Sequence, residues 1–249
     1  MNTQAVVNEF AKMKHLRVGV IGVALVVAVT GMSLFSAVVN PDFDPDSTSA
    51  WNALLAGMSL GVPLASPLLL AVLVSRHVDI EHTGNGWLLQ ATAGITPGSL
   101  CRAKFTALGI VVLAITLAQN LLVFLTGKLL AGITAPLPTA HWAGFAVCIL
   151  AVNLVVLALH VVISAKVENQ LVALGVGVLG TLPAVLSQGL PVAMAHLTPW
   201  GYYALARAAD YQGEAIVPLP LSYPSIAALV VVAAALFWII TDRFDRQEA

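Results

Sequence analysis

Residues 51–74 read WNALLAGMSLGVPLASPLLLAVLV, without a single charge. A helix needs about 20 apolar residues to cross the roughly 30 Å of hydrocarbon in a bilayer, and this stretch is long enough. It does not alternate apolar and polar residues with a period of two, as a barrel strand would. Working outward, five further runs meet the same test: residues 16–39, 105–130, 141–164, 171–187 and 225–241. Arg17 and Lys128 fall at the ends of their runs, where a long cation can snorkel to water. The expected fold is therefore all-α, one polytopic membrane unit over residues 1–249 with six transmembrane helices.

Composition agrees. Of 249 residues, 59% are hydrophobic and only 9% charged, against about 25% charged in an ordinary soluble domain. Mean hydropathy is +0.92. The net charge of −1 excludes a nucleic-acid binder as a partner class, and two cysteines exclude a disulfide scaffold. Cys101 falls in a loop and Cys148 within a span, so both read as free thiols.

Orientation follows the cations. With the N-terminus in the cytoplasm, nine of the eleven Lys and Arg fall inside, leaving only Lys128 and Arg207 outside. An even number of spans returns Arg243 and Arg246 to the inner side. The expectation is that both termini are cytoplasmic. The first apolar run exceeds a signal-peptide core, so it reads as an uncleaved anchor.

Residues 1–15 form a leader in which Val6, Phe10 and Met13 recur at helical spacing, suiting a short amphipathic helix on the inner surface. Ala53, Gly57, Gly61 and Ala65 make an i, i+4 stripe of small residues, which lets helices pack closely, within this chain or against another subunit. Pro63 and Pro67 should bend or loosen that helix. Residues 188–224 read as a re-entrant or interfacial segment on the outer side, with Trp200, Tyr202 and Tyr203 at headgroup level and Ala204–Asp210 helix-like.

Mid-span polar residues are few: Gln119, Asn120, Asn153 and His160. Such groups either hydrogen-bond a neighbouring helix or line a substrate path. No Asp or Glu sits mid-span to relay protons or sodium. The chain has no G-x-x-x-x-G-K-[ST] phosphate loop and no H-E-x-x-H, and Gly57-Met58-Ser59-Leu60-Gly61 lies inside an apolar span rather than on the strand-to-helix turn of a G-x-S-x-G nucleophile elbow. Uphill transport would thus need energy from another chain, and no catalytic group or cofactor is expected in this one.

Residues 75–104 are the richest segment. His77, Asp79, Glu81 and His82 suggest a metal, but His77 and Glu81 share a helix face while Asp79 points away, so no metal site is expected. The polar run should continue the second helix out of the membrane until Gly84 and Gly86 break it. Trp87, Leu88 and Leu89 then form an apolar knob suited to a partner or the interface. Thr96-Pro97 starts a fresh helix, with Pro in its first turn.

Glu81-His82, then Gly86-Trp87-Leu88-Leu89, a short break and Ala103-Lys104 opening the third span resemble the permease subunits of ABC-2-type transporters. The likeness is nearest to the small six-span permeases of bacitracin- and lantibiotic-resistance exporters, and it departs from them where Gly94-Ile95-Thr96-Pro97-Gly98-Ser99 replaces a Pro followed by a basic residue. The resemblance implies an efflux permease of a bacterial cell membrane, conferring antibiotic resistance by exporting an amphipathic peptide, antibiotic or lipid-like compound. It implies work in pairs, with an identical copy or a paralogue, and two copies of a cytoplasmic ATPase carrying ATP and Mg²⁺. Glu81, His82, Gly86, Trp87, Leu88 and Leu89 would be the ATPase-coupling residues. Two other classes compete. An intramembrane enzyme, a lipid-modifying transferase or protease, could use His160, Ser164 and Glu168 on one face, though no activated nucleophile or oxyanion stabiliser is identifiable. A membrane scaffold or sensor subunit is the third, weakened by the lack of a sizeable soluble domain.

Overall fold

The computed structural model describes residues 3–14, 16–213 and 215–247. Met1, Asn2 and His15 of the leader, and Glu214 of the outer segment, lie outside the described residues. Among the described residues, six helices are long and apolar enough to cross a membrane. In chain order the helices are α1 (Thr3–Met13), α2 (Val18–Val38), α3 (Ser49–Thr83), α4 (Gly86–Thr92), α5 (Pro97–Leu129), α6 (Thr139–Lys166), α7 (Gln170–Leu186), α8 (Val192–Ala195) and α9 (Tyr223–Gln247). Each forms because an apolar segment in lipid can satisfy its backbone N–H and C=O groups only internally. The protein is mostly helical and multi-pass, and its spans are α2, α3, α5, α6, α7 and α9.

The core centres on α3, the most buried span, flanked by α2, α6 and α7. At Gly57 a Cβ would lie 2.5 Å from the Ser33 Cα, and at Gly61 it would meet the Met32 sulfur at 3.3 Å. The small-residue stripe thus lies against α2 of the same chain. Its helix runs unbroken through Pro63 and Pro67. Pro63 cannot donate to the Ser59 carbonyl four residues back. That carbonyl instead accepts from the Gln188 Nε2 at 3.1 Å, and the Ser59 hydroxyl accepts from the Ala208 N–H at 3.2 Å. The proline's missing hydrogen bond becomes an anchor for the segment that follows α7.

That segment departs from expectation. Residues 187–208 form short helical turns, and β1 (Ala209–Gln212) pairs antiparallel with β2 (Ala215–Pro218). The helix-like reading of Ala204–Asp210 is therefore corrected, since only turns cover 204–206 and Asp210 lies in a strand. Gly213, at φ 65°, supplies the left-handed residue that such a tight hairpin turn needs. At the same end Trp51 stacks on Phe124 with ring centroids 5.7 Å apart and meets Trp142 edge-on. Lys128 donates to the Ile133 carbonyl at 2.9 Å, and Arg207 pairs with Asp210 at 2.7 Å. Both cations on the cation-poor side are thus held by local partners.

Candidate coupling site at the C-terminal end of α3 and the N-terminal end of α5

The α3 helix runs 35 residues, about 52 Å at 1.5 Å per residue, well beyond one hydrocarbon thickness. Its overhang is the polar run from Ser75 to Thr83. The helix stops at Gly84, and Asn85 at φ 50° turns the chain into α4. A Cβ at Gly86 would strike the Glu81 carboxylate, so only glycine lets α4 fold back this closely. Pro97 opens α5, where its missing N–H costs no helical bond.

Under this elbow lies a buried charge cluster drawn from three segments. The Lys104 ammonium of α5 is fully buried and lies 2.7 Å from both Glu9 of α1 and Glu81 of α3. It also donates to the His77 carbonyl at 3.1 Å. Lys12 bridges the same two carboxylates at 2.7 and 2.6 Å. His77 Nε2 lies 2.8 Å from Glu9, though neither of its ring nitrogens has a well-directed hydrogen bond. Two carboxylates and two ammonium groups balance, which is the condition for burying them at tolerable cost. Burial pushes the Glu9 carboxyl up, but the His77 contact, the Lys104 charge and the hydrogen bonds from Lys104 and Lys12 outweigh it, holding the group down at about 2. Burial lowers Lys12, and its bonds to Glu81 and Glu9 more than reverse this, raising it above its ordinary value.

Of the coupling residues read from the sequence, the structure separates two kinds. Leu88 and Leu89 are exposed, at 66% and 62%. Glu81 is buried in the ion cluster, so it acts on α1 and α5 rather than presenting a charge to a partner. Trp87 is half-buried against the core and corrects the expectation of a fully exposed knob. Its indole N–H donates to His82 Nδ1 at 3.3 Å, and His82 Nε2 donates to the Ser164 carbonyl at 2.8 Å. This neutral tautomer uses one nitrogen as acceptor and the other as donor, tying α4 through the end of α3 to the end of α6. Of the four residues weighed as metal ligands, two join the ion cluster and His82 joins this chain; among the described residues, no group of three candidate ligands converges.

The mid-span polar residues do not gather in one place. Gln119 and Asn153 line a cavity of about 10 Å³, room for at most one water. Asn153 accepts from the Tyr203 hydroxyl at 2.6 Å, and Asn120 donates to the Thr116 carbonyl of its own helix. His160 sits edge-on to Trp200 at 6.2 Å, with no hydrogen bond to either ring nitrogen.

Sequence reasoning missed Glu9, Lys12, His77 and Lys104 as one unit. The available signal was Glu9 interrupting the apolar face of α1, together with Lys104 at the very start of the third span's apolar run.

Six spans, an amphipathic leader helix buried against them and a helical elbow projecting from the second span define a multi-pass membrane protein. A family model described as "ABC-2 family transporter protein" matches residues 5–184, which covers α1 through most of α7. The chain belongs to the ABC-2 transporter family. It is a transport component, a membrane permease of an ABC transporter, and membership implies association with an ABC ATPase. No curated protein matches the chain.

Proposed function

We propose that this chain is the permease of an exporter for an amphipathic peptide, antibiotic or lipid-like compound, energised by a separate ATPase that docks on residues 75–104. The observation that carries this reading is the continuity of α3. One helix of 35 residues links the middle of the membrane to an elbow displaying Leu88 and Leu89. A partner that grips α4 therefore moves the second span as a lever. In this proposal both termini and the elbow face the cytoplasm of a bacterial cell. Two permeases and two ATPase copies assemble, with ATP and Mg²⁺ on the ATPases, and closure of the ATPase pair shifts the path between the permeases. The coupling of the two states comes from differential contacts at the elbow. The resemblance of the Glu81–Leu89 motif to the small bacitracin- and lantibiotic-resistance permeases supports this reading, and drug efflux is the expected physiological output.

The test uses photo-crosslinking from positions 88 and 89 in native membranes, followed by ATPase assays on the Leu88→Glu, Leu89→Glu double variant. We expect capture of a protein that carries a nucleotide-phosphate loop. The variant should insert and melt normally, yet lose transport and substrate-stimulated hydrolysis. Capture of lipid alone, labelling of the elbow from outside the cell, or undiminished transport by the variant would refute the docking assignment.

A further inference from the structure

The last span is held at its two ends and open between them. At the outer end, Gly144 of α6 makes room for the Tyr223 hydroxyl at the start of α9. At the inner end, Arg102 of α5 pairs with Asp245 at 2.8 Å and donates to Thr241 at 3.0 Å. The Asp245 carboxylate also accepts the Gly98 and Ser99 N–H groups, at 2.8 and 3.3 Å. It caps the N-terminus of α5, where the flanking Thr96 makes no cap. Between these pins α9 is the least buried of the spans, and a groove of about 520 Å³ opens among α5, α6 and α9.

Three features of this groove point to one kind of occupant. Its walls are apolar, with Phe105, Leu150, Leu154 and Val230 among them, and Arg102 is the only charged group lining it among the described residues. On α6 it extends from Val147 to Ala158, about 16 Å, which matches one leaflet of a roughly 30 Å hydrocarbon layer. Arg102 stands at one end of it, 5.2 Å from the Trp238 ring, and tryptophan favours the level of the headgroups. A guanidinium has five N–H donors, and two are engaged by Thr241 and Asp245. Three remain for an oxyanion. Asp245 shares its charge with the α5 N-terminus, Asp242 is paired with Arg246 at 2.7 Å, and Lys166, which lies over Phe244 near the same end, shares a pocket with Glu168. The charge that an anion would meet at the mouth is therefore that of Arg102 itself.

We propose that this groove is a binding site for one anionic phospholipid from the leaflet on the Arg102 side. One acyl chain fills the gap between α6 and α9, and the phosphate rests on the free N–H groups of Arg102. The lipid thereby supplies the packing that α9 lacks along its middle.

The test is native mass spectrometry of the full chain, delipidated in detergent and titrated with palmitoyl-oleoyl phosphatidylglycerol or its phosphatidylcholine counterpart. One phosphatidylglycerol should be retained per chain, about tenfold more tightly than phosphatidylcholine. Ala151→Trp and Ala233→Phe fill the groove away from the Arg102 contacts, and each should weaken phosphatidylglycerol about tenfold while leaving the melting profile unchanged. Arg102→Gln should erase the preference between the two lipids. Equal retention of both lipids by the unaltered chain, or undiminished retention by both groove-filled variants, overturns the proposal.

Discussion

Replacing Lys104 by Met tests the buried cluster most directly, because Met keeps the volume and removes only the charge. Glu9, Glu81 and Lys104 expose 1%, 1% and 0% of their side chains. Without Lys104, both carboxylates are left to Lys12, a net charge of −1 shut away from water, and the His77 carbonyl loses its donor. Breaking a buried ion pair from one side costs about 3–5 kcal/mol. At roughly 2–4 °C per kcal/mol for a chain of this length, the melting temperature should fall by roughly 6–20 °C. Adding Glu81→Gln to Lys104→Met leaves Glu9 and Lys12 in balance, so the double variant should recover much of the loss, with a coupling of about 1–3 kcal/mol in the cycle. A thiol-reactive fluorogenic dye can read the transition, because Cys101 and Cys148 are free and buried and react only on unfolding. Exposed Arg76 provides the control, where Arg76→Met should stay within about 0.5 kcal/mol. A Lys104→Met melt within about 3 °C of the parent, or a double variant equal to the sum of the singles, would refute the reasoning.

Two further outcomes follow from the same geometry. Gly57→Ala should destabilise more than Gly61→Ala, because the added methyl meets backbone of α2 at position 57 and only the end of a flexible methionine at 61; the same dye melts compare them, and equal shifts would contradict the packing. The docking of α1 should depend on pH in a defined direction. The Glu9 carboxyl lies at about 2 when folded against an ordinary 4.5, so its contribution of about 3 kcal/mol is full above pH 4.5 and lost as pH falls toward 2. Lys12, raised above 10.5, contributes fully below that pH and loses its contribution as pH climbs through the folded value. A nitroxide at exposed Asn8, read by its spectral mobility, should loosen at the acid end, and Glu9→Gln should flatten that acid transition.

Much of this architecture was written locally. The spans are readable because lipid imposes a length and a composition on each one separately, so residues 51–74 announce a helix without reference to the rest of the chain. The elbow is readable for the same reason: Gly84, Gly86 and Pro97 punctuate the backbone at their own positions. What escaped were features that exist only in three dimensions. The cluster joins positions 9, 12, 77, 81 and 104, and nothing within any one of those segments states that it meets the others. Glu81 looked like a free charge beside Trp87 because a polar residue past the end of a span is usually solvated. The hairpin was hidden by brevity, since four-residue strands with a half-buried face carry too few alternations to outweigh a helical reading of Ala204–Asp210.

The cluster also changes what the elbow can do. Leu88 and Leu89 sit on a seven-residue helix that has no buried residue of its own; alone, so short a helix would be marginal and a poor transmitter of force. It is held instead by Gly86 against Glu81 and by Trp87 against His82. Glu81 is fixed by Lys104 and Lys12, and Lys12 and Glu9 belong to the leader helix. A push on α4 therefore acts on α1, α3 and α5 together, and through His82 on the end of α6. Buried ion pairs suit this joint better than apolar contacts would, because pulling them apart leaves uncompensated charge away from water, whereas apolar surfaces can slide. On that reasoning the cluster's main contribution is to stiffness, and Lys104→Met should uncouple the elbow from the spans even at temperatures where the variant remains folded.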